Sequence, residues 1–383
     1  MKISIKKLSL TYLTFSFLMI TAPWAHASPP VVTYPMIPVG TPENSSDQST
    51  GFGAVSEPYT IGEYDVTIGQ YTAFLNEIAQ TDTYGLYNSS MTNVLNTAGI
   101  TRSGSNGSYE YTVMNNSGDS SNRPITNISW FNAARFANWM ANGQPQGGCE
   151  TSATTENGAY DLSVADGLYA QNKSTELRGK YGCVEYVKSP TSSSSSSLKD
   201  MPQAVIAPAK NTENPNTHSA PTYYIPTENQ WYKAAYYNQC AGGSYSLYAT
   251  HSNETPGNSV GDENNQANYL SESTGYSVTQ SKNFSASQNY LTDVGAFPNS
   301  SSFYGTFDQT GNIWEWNDLD GTASASKGLR GGAYTSTPPY LKSTYRMGYL
   351  ATRYNPNGGF RLAGAEGICA GQLCSKSKLI LVC

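Results

Sequence analysis

Residues 305–318 read GTFDQTGNIWEWND. An acidic, glycine-containing turn leads into an alternating aromatic run. Glycine reaches backbone dihedrals closed to other residues, so Gly311 lets the chain turn back and brings nearby carbonyls together. In the strand that follows, side chains alternate between faces. Trp314 and Trp316 therefore share one face and Glu315 takes the other. Two indoles on one face mark it as core or pocket wall.

Two more strand-like pieces surround this one, LRGGAY (329–334) and GGFRLAG (358–364). Ahead of them lie three helix signatures. Thr67 and Gln70 form a capping box opening TIGQYTAFLNEIAQ, with Tyr71, Phe74, Leu75 and Ile78 on one face. Ser129 precedes WFNAARFANWMAN, where Trp130, Ala133, Ala137 and Met140 recur at helical spacing. Thr227 and Gln230 make a second capping box after Pro226, opening ENQWYKAAYYN. Helices early and short strands late predict an α+β fold rather than a doubly wound parallel sheet.

Composition bounds the setting. Only 13% of the 383 residues are charged, while tyrosine reaches 29. That suits a loop-rich exported globular protein and is too aromatic for a disordered chain. Lys2, Lys6 and Lys7, the apolar run 8–20 and Ala25-His26-Ala27 together predict a secretory signal peptide over 1–27. Export to the periplasm, the cell surface or the medium follows, with no membrane insertion after signal removal. Removing residues 1–27 shifts the formal charge from −6 to −9. An acidic chain without a basic cluster argues against nucleic-acid partners. Six cysteines remain, and in an exported chain an even count points to disulfides. Their connectivity is not readable from sequence, and Cys149–Cys183 and Cys369–Cys374 are the local choices. Residues 142–222, with six serines at 192–197, read as a polar insertion unable to form its own domain. Residues 366–383 form a Cys-containing tail.

Taken in order, EYDVTIGQYTAFL, PITNISWFNAARFANWM, YYIPTENQWYKAAYY, GTFDQTGNIWEWND, LRGGAY and GGFRLAG resemble the formylglycine-generating enzyme (sulfatase-modifying factor) superfamily. The resemblance spans roughly 55–365 without the insertion. It implies one domain over 28–365: an irregular C-type-lectin-like α+β domain, low in regular structure, with three short helices and short antiparallel strands. Fold does not fix function here, because the superfamily holds copper oxidases, iron-dependent sulfoxide synthases and domains that only bind ligands.

The copper enzymes carry two cysteines after the R-G-G block, since Cu(I) is soft and selects thiolate. Here the first position falls at about Ser336 and the second between Tyr340 and Lys342. No cysteine lies between Cys240 and Cys369, so copper is not expected. Nor is iron expected: mature His218 and His251 both sit in polar loop sequence, with no histidine cluster. No G-x-S-x-G elbow, P-loop or H-E-x-x-H motif is present. Glu315 is the tempting member of a glycosidase carboxylate pair, but the resemblance gives it another role. By position it implies a Ca²⁺ site at Asp308, Gly311, Ile313 and Glu315, and hard oxygens with two carboxylates suit that ion. A second site would involve Asn268. Arg330 and Arg361 read as partners for internal carboxylates. The remainder of 336–353 occupies the place of the family's substrate groove, with Ser336, Tyr340, Tyr345, Arg346, Tyr349 and Arg353 as candidate ligand contacts. The reading is a secreted, calcium-stabilised lectin-type domain binding a peptide, glycan or surface partner. The alternatives are an oxidoreductase with an unrecognised metal site and a structural surface protein.

Overall fold

A computed structural model describes residues 31–147, 149–163 and 205–365, and the backbone of 368–369 and 372–373. The signal-peptide stretch, the serine tract, Cys183, Cys374 and Cys383 lie outside the described residues.

All three expected helices form, and each starts at its cap. Helix α1 (Ile68–Ile78) opens on Thr67, whose side chain accepts from Gln70 N while the Gln70 side chain accepts from Thr67 N. A single-turn helix that the sequence did not announce, α2, spans Ser90–Asn93. Helices α3 (Trp130–Ala141) and α4 (Glu228–Tyr236) open on the reciprocal Ser129/Asn132 and Thr227/Gln230 pairs. Such caps satisfy the amide donors that a helix start leaves open, and each contributes about 1 kcal/mol.

Helix α3 is buried on every side, not on one face. Its apolar side packs Phe136 against Phe74, Trp139 and Phe360 at ring distances of 5.1, 5.8 and 5.5 Å. Its polar side is covered by the first part of the 142–222 segment. There Arg135 pairs with Glu156, and Asn138 Nδ2 donates to the carbonyls of Thr155 and Tyr160. Tyr160 and Leu162 complete the same core. A polar composition thus contributes core by satisfying a buried helix's polar groups.

The strands are short. β1 (Met36–Val39), β2 (Tyr59–Gly62) and β13 (Ala363–Ala365) form one antiparallel sheet that joins the two ends of the domain. β3 (Ile100–Ser103) pairs with β4 (Glu110–Val113), β5 (Tyr237–Asn238) with β6 (Ser244–Tyr245), and β7 (Leu270–Ser271) with β8 (Gly275–Tyr276). The main sheet has the order β11-β10-β9-β12, from β9 (Trp314–Asn317), β10 (Ser326–Arg330), β11 (Met347–Leu350) and β12 (Gly358–Gly359). One expectation needs correction. LRGGAY is a strand only up to Arg330, because Gly331 and Gly332 turn away with φ of 94° and 80°. The strands are short and antiparallel as expected, with the two-residue β12–β9 pair a parallel exception. Among the described residues no helix is long and apolar enough to cross a membrane.

Candidate functional site

Glu315 is fully buried on β9. Its Oε2 accepts from Trp231 Nε1 of α4 at 2.8 Å and from Arg361 Nε at 2.6 Å, and its Oε1 accepts from Arg361 Nη2 at 2.8 Å. Arg361 also donates to the carbonyls of Gly62 and Phe307 and to Asp65 Oδ1. One guanidinium thus ties β2, the approach to α1, the 307 turn and β9 together. Burial works against its charge, but Glu315 and Asp65 more than offset this and hold it protonated.

The cluster is unbalanced. Asp65, Asp308 and Glu315 surround this single cation, and Asp65 Oδ2 has no partner. Burial, with Glu315 nearby, raises the Asp65 pKa well above the usual carboxylate range. Asp308 accepts from Gly295 N at 2.7 Å, yet burial pushes its pKa up to about 6. Asp308 also lines a narrow pocket of about 10 Å³, room for one water-sized occupant. Gln266, Gln309, Thr250 and Ser300 share that lining. The polar atoms of this lining are hard oxygens and amides, which suit no soft metal, and among the described residues no group of three or more carboxylate, histidine or cysteine side chains is placed to hold a metal ion. Glu315 is already engaged by Arg361 and Trp231, so Asp308 is the carboxylate of the expected set that faces free space. Asn268 is buried beside the turn, its Nδ2 donating to Tyr290 O and Asn312 Oδ1.

The groove segment begins at Gly331 and Gly332. A Cβ on Gly332 would fall 2.5 Å from Leu341 Cδ2 and 3.4 Å from Ser336 Cβ. Leu341, the carbonyl of Tyr340 and Ser336 thus close around one glycine. Ser336 Oγ accepts from Ala333 N at 2.9 Å. Leu341 is fully buried against Tyr248, Ala267 and Tyr269.

The candidate contact residues separate into three groups. Tyr340, 43% exposed, meets Tyr345 edge-on at 4.8 Å, and Tyr345 meets Trp314 at 5.7 Å. Tyr349 instead packs on Trp316 at 5.9 Å as part of the core margin. Arg346 turns away to α4, where Glu228 also holds Arg330. Arg353 is exposed, with no ion-pair partner among the described residues. Beside Arg346 opens a cleft of about 330 Å³ walled by Phe52, Glu228, Leu319, Asp320 and Ser324. His218 and His251 are exposed and belong to neither site.

Sequence reading missed Asp65, Glu228 and Phe52. Glu228 follows a cap residue, so its helix position was readable. Its partners Arg330 and Arg346 lie 102 and 118 residues away.

The chain matches the family model of the sulfatase-modifying factor enzyme 1-like domain over residues 36–366. No curated protein matches it in sequence. Among solved structures it is similar to CarF at 17% identity and TM-score 0.44, covering 87% of this chain and 98% of that one. It is also similar to Treponema denticola variable protein 1 (16%, TM-score 0.42, 86% and 94%) and to PvdO from Pseudomonas aeruginosa (16%, TM-score 0.38, 88% and 100%).

Proposed function

Because this chain belongs to the sulfatase-modifying factor enzyme 1-like domain family, we propose that it uses that scaffold for binding. In this reading it is a secreted lectin-type domain that holds a peptide, glycan or surface partner along Ser336–Tyr345, without copper oxidase chemistry. The observation that carries it is the absence of any cysteine between Cys240 and Cys369, so that at about Ser336 and between Tyr340 and Lys342, where the resemblance puts the copper enzymes' two thiolates, no thiol stands. A serine hydroxyl is a hard, protonated ligand, and a buried leucine offers no donor atom at all. The neighbouring tyrosines supply rigid amphipathic contact at low entropic cost, as binding loops do. The signal peptide and the oxidised state of the six cysteines belong to the same proposal. An intact mass starting at Ser28, unchanged by alkylation without reductant, tests both.

The test of binding is a Cu(I) competition titration together with glycan and peptide arrays. The mature chain should fail to withdraw Cu(I) from a chromophoric chelator. Tyr340→Ala and Tyr345→Ala should each weaken any array ligand by about tenfold, since aromatic anchors often contribute 1–2 kcal/mol or more. Copper or iron retained stoichiometrically through purification would overturn the reading in favour of the oxidoreductase alternative. A clean array with a folded protein would favour the structural alternative.

A second reading, calcium stabilisation, is favoured by the unbalanced carboxylates and the oxygen-lined pocket at Asp308. The folded Asp308 pKa lies above its unfolded value, so the folded state holds the proton more tightly. Without metal, its contribution is therefore full below about pH 4 and is lost as pH rises through about 6. Asp308→Asn should remove that slope and raise metal-free stability at pH 7.5 by up to about 3 kcal/mol. Millimolar Ca²⁺ should stabilise the parent chain by about 2–3 kcal/mol if it exceeds Kd a hundredfold, and leave the variant unmoved. An unchanged melting temperature of the parent in Ca²⁺ and in chelator would eliminate this site.

A further inference from the structure

Segment 321–365 holds six basic residues and no acidic one, in a chain whose acids outnumber its bases. Lys327 is neutralised by Asp318, and Arg361 by Glu315 and Asp65. Arg330 and Arg346 share the single carboxylate of Glu228. Lys342 and Arg353 have no ion-pair partner among the described residues. The surplus positive charge therefore brackets one strand in the sequence: Lys342 and Arg346 precede β11, and Arg353 follows it.

β11 is the outer strand of the main sheet. Ala351 N donates to Ala325 O at 3.0 Å, continuing the β10–β11 register. In an antiparallel ladder bonding alternates, so Met347, Tyr349 and Ala351 face β10, while Gly348 and Leu350 turn their N–H groups outward. The Leu350 carbonyl already accepts from Arg353 N. That leaves the N–H and C=O of Gly348 and the N–H of Leu350 open to a partner. Gly348 is exposed, and nothing lies within 4 Å of where its Cβ would be.

We propose that β11 accepts an extended acidic peptide as an added strand, bonded to Gly348 and Leu350 and flanked by Lys342, Arg346 and Arg353. The proposal rests on the reading of the domain as a binding module and names the partner it selects. Unpaired edge groups supply main-chain bonds, and the flanking charges choose the sequence. Arg346 gives Nε and Nη2 to Glu228, so Nη1 remains for a ligand carboxylate. The cleft beside it gives that side chain room. A second copy of this chain is a poor occupant. Edge-to-edge pairing would set Arg346 and Arg353 of one copy close to those of the other, and like charges oppose such pairing.

The test uses the full mature chain and a fluorescein-labelled hexapeptide alternating valine and glutamate, read by fluorescence anisotropy. Two control peptides are the valine–lysine version and the acidic peptide with alternate backbone amides N-methylated. The acidic peptide should bind, weaken at least tenfold from 50 to 500 mM salt as exposed charges are screened, and exceed both controls by tenfold or more. Lys342→Glu and Arg353→Glu should each weaken it about tenfold. Gly348→Pro should abolish it at an unchanged melting temperature, since proline is tolerated on an edge strand but removes the donor. Binding that survives Gly348→Pro or N-methylation, or competition by heparin that Gly348→Pro leaves unaltered, would reduce the site to charge alone and overturn strand addition. No binding of the acidic peptide to folded protein would also overturn it. An array ligand that weakens with Tyr340→Ala but not with Arg353→Glu would sink this edge site and leave the groove reading standing.

Discussion

Arg361→Leu is expected to lower stability by about 3–5 kcal/mol, a large share of what a domain of this kind possesses. The side chain is fully buried and reaches five groups on four segments of the chain, the carbonyls of Gly62, Glu63 and Phe307 and the carboxylates of Asp65 and Glu315. Leucine would leave Glu315 and Asp65 as buried carboxylates with no cation, alongside an Asp65 oxygen that is already unpartnered. Removing one member of a buried pair is far more damaging than replacing both, because the survivor keeps its full desolvation penalty. Urea unfolding followed by tryptophan fluorescence reads the effect directly. The double variant Arg361→Leu with Glu315→Gln should recover part of the loss, with coupling of at least about 2 kcal/mol. Glutamine carries no charge and keeps an acceptor for Trp231 Nε1. A loss below about 1 kcal/mol for Arg361→Leu would show that the carboxylates are held by something other than this guanidinium.

That network also marks where sequence reading stopped. What is encoded within a few residues was legible: Thr67, Ser129 and Thr227 announce their helices because a cap and its partner stand three positions apart. Arg330 and Arg361 were readable as internal partners from residue type alone. Which carboxylates they meet depends on topology: Glu315 is 46 residues from Arg361, and Asp65 is 296. The β1-β2-β13 sheet stayed hidden for the same reason, since Ala363 pairs with Ile61 across the whole domain. Helix α3 showed an apolar stripe, but its burial on all sides depends on Glu156, Thr155 and Tyr160 folding over it from a segment of polar composition. In the groove, Ser336 and the stretch between Tyr340 and Lys342 were singled out from sequence, and Gly332 packs against both. Tyr349 was read as a ligand contact because it shares composition with Tyr340 and Tyr345. Its place on β11 opposite Lys327 instead directs it onto Trp316.

Gly311→Ala should be the most damaging single-methyl change in the opening turn, and three glycines together show why. Gly311 has φ of 84°, and a Cβ there would lie 2.3 Å from Asn268 O and 2.9 Å from Asn268 C, both backbone atoms. The strained dihedral alone costs about 1–2 kcal/mol for an L-residue. Relieving the contact requires the Asn268 backbone to move, adding about 1–3 kcal/mol on the scale of overpacked cores. Gly305 has a φ of 91° but open space at its Cβ, so Gly305→Ala should show the dihedral penalty alone. Gly348 has open space as well, and its φ is not in the left-handed region, so Gly348→Ala should stay within about 0.5 kcal/mol of the parent. The same turn links the two candidate sites: Gly311 N donates to Gly331 O at the head of the groove, and Asn312 N donates to Asn268 O. A folded Gly311→Ala protein should therefore lose any Ca²⁺ response at Asp308 and bind groove ligands less tightly, whereas Gly305→Ala should keep both. Equal destabilisation by Gly311→Ala and Gly305→Ala would mean that Asn268 yields freely and that the turn does not hold the two sites in register.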